Sequence, residues 1–212
     1  DLEFNDSGGM SSSTRKKAVE LWHTDIPEGD PGLLARTLFC LENPPGTTYV
    51  SGSQDAIGIV FPGLNRLDYA PGDYWPEKIT PVHDPEVLDF IESHLWFITL
   101  PPRDGAFNVL EQTNISADGA RALAEAADGV WEALLARDIS AFGKFYRASF
   151  EAQVAMFPLM KSRVVSETIE HYRDRALGWK LAGAGGGGYL ALVSERPIEN
   201  AIRIRIRRER TG

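Results

Sequence analysis

The residues able to do chemistry fall in three short runs. Gly183, Gly185, Gly186, Gly187 and Gly188 lie within six positions, with Ala184 as the one interruption. A glycine inside a strand or helix costs about 0.5–1 kcal/mol relative to alanine. Five together would give up a large share of the roughly 5–15 kcal/mol that holds a domain folded. The flanks Trp179-Lys180-Leu181 and Tyr189-Leu190-Ala191-Leu192-Val193 are apolar and strand-like, which argues against a flexible linker. A tight hairpin needs one or two glycines, not five. The run reads as backbone brought close to a ligand, with its amides turned toward oxygen atoms. The second run, Ser7-Gly8-Gly9-Met10-Ser11-Ser12-Ser13, feeds a segment of good helix formers, Arg15 to Trp22, and predicts a loop leading into a helix N-terminus. A serine-rich helix cap has the same composition. The third run, Ser51-Gly52-Ser53-Gln54-Asp55, places an acid where it could cap a helix or accept a proton from a substrate. The residues alone leave both roles open.

The elements that must position these runs follow from periodicity and breakers. A helix is expected over 33–42, with Leu33, Leu34, Leu38 and Leu41 at helical spacing, closed by Pro44-Pro45-Gly46. A short helix at 54–61, a strand at 64–69 and a proline-rich loop over 71–86 follow. Residues 95–100 form a β-prone run closed by Pro101-Pro102. Two long helices, 117–136 and 139–157, break at Arg137-Asp138, and Pro158 ends the second. A helix at 162–175 precedes strands at 177–182, 189–194 and 201–207. The alternation Ile202-Arg203-Ile204-Arg205-Ile206-Arg207 reads as a strand with one buried face rather than a nucleic-acid patch. Strands mixed with runs of helix give an α+β class, with helices on one face of an antiparallel sheet.

The chain has 212 residues, 43% of them hydrophobic and 25% charged, enough for one large domain or two small ones. A net charge of −8 argues against general nucleic-acid binding. Cys40 is the single cysteine, so no disulfide forms within the chain. In the run Leu38-Phe39-Cys40-Leu41 it reads as a small buried hydrophobe in a reducing compartment. His23, His83, His94 and His171 lack metal-ligand spacing. No apolar stretch reaches the ~18 residues of a membrane helix and no signal peptide is visible, so a cytoplasmic protein without membrane partners is expected. The chain enters its serine loop almost at once after Asp1, which predicts that an upstream part of a longer protein is missing.

Lys180-Leu181-Ala182-Gly183-Ala184-Gly185-Gly186-Gly187-Gly188-Tyr189-Leu190 resembles the third motif of the GHMP kinases, the superfamily of galactokinase, homoserine kinase, mevalonate kinase and phosphomevalonate kinase. It is most similar to the fucokinase and manno-heptose kinase branches. Ser7 to Ser13 resembles the family's second motif, the phosphate-binding loop. Asn5 stands where the family often has proline, and Thr14 replaces the usual alanine or glycine. Ser51 to Asp55 is similar to the Gly-x-x-Gln-Asp signature of the fucokinase-like and heptose-kinase-like members. The resemblance implies an α+β, two-domain GHMP fold. Residues 1–92 would be part of an ATP-binding, ribosomal-protein-S5-domain-2-like domain, and 93–212 a ferredoxin-like C-terminal domain.

It further implies ATP and Mg²⁺ as cofactors and a monosaccharide, heptose-, fucose- or galactose-like, as the substrate phosphorylated, at its anomeric hydroxyl. Asp55 would be the catalytic base. Ser7, Gly8, Gly9, Met10, Ser11, Ser12 and Ser13 would hold phosphates, at a helix N-terminus suited to anions. Ser12, with Ser11 as the alternative, and Glu42 would serve the metal, a hard cation that prefers oxygen. Gly183, Ala184, Gly185, Gly186, Gly187 and Gly188 would shape the substrate pocket. The family's sugar-gripping first motif lies upstream of Asp1, so the chain alone is expected to be inactive if nothing precedes it. A catalytically inactive GHMP-fold module that binds sugar or nucleotide is the other reading, and a homodimer is an open option for assembly.

Overall fold

The computed structural model describes residues 11–23, 25–102, 108–183 and 185–209. It divides into two compact units. One comprises Ser11–Asp84 with the segment from Ile206; the other is Pro85–Arg205.

The first unit begins with three helices, α1 (Ser12–Trp22), α2 (Pro31–Glu42) and α3 (Gln54–Val60). Small residues set how closely they approach: Ala18, Ala35 and Ala56 are fully buried together with Leu38 and Ile57. Asp30 starts α2, its carboxylate accepting from the Gly32 amide at 2.7 Å, and Pro31 occupies a first-turn position where its missing N–H costs nothing. The buried stripe of α2 runs through Ala35 and Leu38. Leu33 and Leu41 lie on the outer side, and Cys40 is exposed, not buried. The apolar run 38–41 spans the whole circumference of one helical turn, so only part of it can face inward.

An antiparallel pair completes this unit, β1 (Leu64–Asp68) and β2 (Lys78–Val82), in register Leu64↔Val82 to Asp68↔Lys78. The loop expected over 71–86 therefore contains a strand. Pro81 obscured it, yet a two-stranded ladder consists of edges and accepts a proline. Segment 206–209 closes on the same unit. The Arg207 guanidinium donates to the carbonyls of Ile59 and Val60 at the end of α3, at 2.8 and 2.5 Å. The Gly63 amide donates to the Arg207 carbonyl at 2.8 Å, and His83 Nε2 lies 3.2 Å from a Glu209 carboxylate oxygen.

The second unit holds α4 (Pro85–His94), β3 (Leu95–Thr99), α5 (Ala117–Ala136), α6 (Ile139–Met156), a 3-10 turn (Pro158–Met160), α7 (Arg163–Tyr172), β4 (Gly178–Leu181), β5 (Tyr189–Val193) and β6 (Ile202–Arg203). The strands form one antiparallel sheet in the order β4-β5-β3-β6. Every residue of the inner strand β5 is buried. Ser116, Asp138 and Ser162 cap α5, α6 and α7 with side-chain oxygens. Arg137 turns the chain between α5 and α6 with φ 56°.

Two glycine contacts fix α6. A methyl on Gly129 of α5 would lie 2.4 Å from the Phe145 ring, and one on Gly178 of β4 would lie 2.1 Å from the Gly143 carbonyl oxygen. The helix therefore lies directly on the edge strand, and its next turns cover Lys180. The last strand is shorter than its alternation predicts: ladder pairing with β3 stops at Arg203. The alternation survives in burial only over 204–207, with Ile204 and Ile206 half-buried and Arg205 and Arg207 exposed, whereas Ile202 and Arg203 are both exposed.

Candidate active site

Ser11 occupies the cap position of α1 in a left-handed conformation, φ 60°, and its hydroxyl makes no capping bond. Non-glycine residues rarely hold that conformation, and it recurs at ligand-binding turns. The first amides of a helix lack intrahelical acceptors, so this end presents donors and a positive dipole. In the same turn Thr14, fully buried, brings its hydroxyl to 2.8 and 2.9 Å from the two carboxylate oxygens of Glu42. Ser13 adds a hydroxyl at 3.2 Å from one of them. Glu42 is the last residue of α2, so the crossing of two helices brings together residues 28 and 29 positions apart. Ser7, Gly8, Gly9 and Met10 lie outside the described residues, and so does the Ser12 side chain.

Just beyond Glu42, Asn43 ties down the loop that leads to Asp55. Its amide oxygen accepts from the Ser51 amide at 2.7 Å, and its amide nitrogen donates to the Phe39 and Ser51 carbonyls. Ser53, fully buried, takes the cap position of α3 and pairs its hydroxyl with that of Tyr69 at 3.0 Å. Asp55 is thus two positions past the cap, the second residue of α3. It is half-buried, and among the described residues no hydrogen bond or ion pair engages its carboxylate. A proton acceptor needs a free oxygen, and this carboxylate has one.

The glycine run is the loop of a β-hairpin: Leu181 pairs with Leu190, and the Ala182 amide donates to the Tyr189 carbonyl at 3.0 Å. It is far wider than a two-residue turn. Gly183, Gly185, Gly186 and Gly188 have φ of 80°, 75°, 73° and 87°, a conformation that only glycine adopts without strain. Gly185, Gly187 and Gly188 are buried. A methyl on Gly185 would lie 3.1 Å from Met160 Cα and Cβ. The Gly188 carbonyl accepts from the Leu100 amide at 2.8 Å, which ties the loop to the end of β3. Ala184 lies outside the described residues.

Lys180 enters this loop. Its ammonium donates to Ser149 Oγ at 3.0 Å and Gln153 Oε1 at 2.7 Å on α6. Both acceptors are neutral, and burial pulls the amine from 10.5 down to about 8. Sequence reasoning passed over Lys180, Thr14 and Asn43 as site residues. Thr14 did stand out as a departure from the serine-loop pattern, the one signal available for it.

Over 214 residues the chain is 27% identical to a bifunctional fucokinase/GDP-fucose pyrophosphorylase of Arabidopsis thaliana, a match covering 96% of this chain and 20% of that protein. The chain therefore spans about a fifth of that relative's length. Among solved structures it superposes on a D-glycero-D-manno-heptose 1-phosphate kinase from Bacteroides thetaiotaomicron, with TM-score 0.62 and 14% identity, covering 97% of this chain and 63% of that one. It also superposes on a mevalonate kinase, with TM-score 0.56 and 16% identity, covering 98% and 68%. No family model matches. The fold is that of the GHMP kinases. The α+β class and the family resemblance read from the glycine and serine motifs both hold.

The donor set at α1 has the chemistry of a divalent-cation site. Glu42 and Ser13 offer hard oxygen donors. Among the described residues no group of three or more His, Cys, Asp or Glu gathers. That sparse set suits Mg²⁺, which binds through one or two carboxylates and takes its other ligands from water and phosphate. Among the described residues no helix is long and apolar enough to cross a membrane.

Proposed function

We propose that this chain is part of an ATP- and Mg²⁺-dependent carbohydrate kinase that phosphorylates a monosaccharide at its anomeric hydroxyl. The observation that carries the reading is the all-oxygen cluster of Ser13, Thr14 and Glu42 at the N-terminus of α1. A helix end with free amides binds phosphate. The fucokinase relative and the heptose 1-phosphate kinase structure support a sugar as the acceptor.

In the reaction the Asp55 carboxylate takes the proton of the sugar hydroxyl. The oxygen attacks the γ-phosphorus of ATP, the bond from that phosphorus to the β–γ bridging oxygen breaks, and ADP leaves. Glu42 and a loop serine, Ser12 or Ser13, would hold Mg²⁺, which neutralises charge on the phosphate oxygens. The α1 amides orient the phosphates, and the glycine loop 183–188 shapes the sugar side. Most of the acceleration in phosphoryl transfer comes from such positioning and charge neutralisation, with a general base adding about 10²–10⁴-fold.

The test is transfer of labelled γ-phosphate from ATP to a panel of fucose, galactose and heptoses, using the whole gene product. Asp55→Asn should lower kcat by about 10²–10⁴-fold with ATP affinity retained. Full activity in that variant would remove Asp55 as base. Binding of ATP with Mg²⁺ but no transfer to any sugar would replace the kinase by a binding module.

A further inference from the structure

Thr14 departs from the small residue expected after the serine loop, and the structure gives that departure a use. Its side chain is fully buried, and its hydroxyl meets both oxygens of Glu42. A hydroxyl has a single hydrogen, so the two contacts form one forked donation that fixes the plane of the carboxylate. Glu42 needs such fixing. It ends α2, where the helix carbonyls disfavour a negative charge. The compensation comes from another helix, through the Thr14 and Ser13 hydroxyls and the positive end of α1. A carboxylate serving only as a cap would gain more at a helix start. Here it is held against one dipole by another, with lone pairs left over, since each oxygen carries two and these contacts use only part of them.

We propose that Thr14 is a positioning residue that orients Glu42 toward a divalent cation and sets the affinity for that cation. The proposal rests on the reading of Glu42 as a metal ligand given above. Outer-shell partners of ligating carboxylates are worth about 10–100-fold in metal affinity. Replacing the hydroxyl by a methyl keeps the shape of the buried side chain and removes only the donor.

The experiment measures Mn²⁺ binding to the whole gene product in the presence of ADP, by electron paramagnetic resonance, so the readout does not depend on catalysis. Thr14→Val should raise the Mn²⁺ dissociation constant about 10–100-fold, and Thr14→Ala should do the same. Thr14→Ser, which keeps the hydroxyl, should stay near wild type. Glu42→Gln should weaken binding at least as much as Thr14→Val. If Glu42→Gln weakens Mn²⁺ binding while Thr14→Val and Thr14→Ala stay within twofold of wild type, Thr14 has no positioning role and the metal reading stands. If Glu42→Gln itself binds Mn²⁺ as wild type does, the metal reading fails and the proposal with it. Equal loss in the serine and valine variants would mark a packing effect and overturn the proposal.

Discussion

The two regions nominated as functional, the α1 end of the first unit and the glycine loop of the second, are built by opposite means. At α1 the geometry is made by side-chain groups, with hydroxyls on one helix holding a carboxylate on another. In the loop it is made by the absence of side chains, through four glycines at positive φ and a buried backbone resting on Met160. The first region should respond to loss of a functional group while the fold stands. The second should respond to the gain of a single carbon, and the fold should register it.

The largest effect expected from this contrast is at Gly185. Alanine there must adopt a left-handed conformation costing about 1–2 kcal/mol and must also crowd the Met160 backbone. A total loss of about 2–3 kcal/mol should lower the thermal midpoint by several degrees in scanning calorimetry. An unchanged midpoint would break the comparison. The same added methyl in the first unit should have the opposite sign. Gly58 lies on the exposed side of α3 with open space where a Cβ would go. Gly58→Ala should therefore stabilise by up to about 1 kcal/mol through helix propensity, and a lowered midpoint would show that α3 needs this glycine for another reason.

The effect confined to the narrowest conditions is a pH slope from Lys180. Its amine is pulled down to about 8 in the folded protein from an ordinary 10.5, so between those values the unfolded chain binds more protons. Stability contributed by this group therefore rises as pH climbs through that window and is lowest below about 8. Wild type measured against Lys180→Met by denaturant unfolding should gain relative stability from pH 8 to 10. Parallel curves for the two proteins would mean that the lysine does not lose its proton on that range.

The same contrast explains what could be read in the sequence. Tyr189 to Val193 is legible as a buried strand because its apolar run is local, and the helix break at Arg137-Asp138 is legible because an acid follows it as a cap. Periodicity and breakers act over a few residues. The glycine run is legible as a wide loop between two strands for the same reason. Glu42 could not be tied to Thr14 that way, since 28 positions separate them and only the crossing of α1 and α2 joins them. Cys40 was misplaced because an apolar turn does not say which side faces inward, and α4 went unread because the prolines around it suggested loop. Pro85 in fact opens that helix, with Val87, Leu88 and Ile91 buried on one face.

The segment from Ile206 belongs to the first unit although the whole second unit lies between them in the chain. During synthesis the carbonyls that end α3 and the amide of Gly63 must wait for Arg207 to emerge from the ribosome. Pro85–Arg205 is continuous and has no such wait. For these bonds the usual order, in which the N-terminal domain folds first, is reversed. The helix carrying Asp55 gains its two bonds from Arg207 only after Pro85–Arg205 has been synthesised.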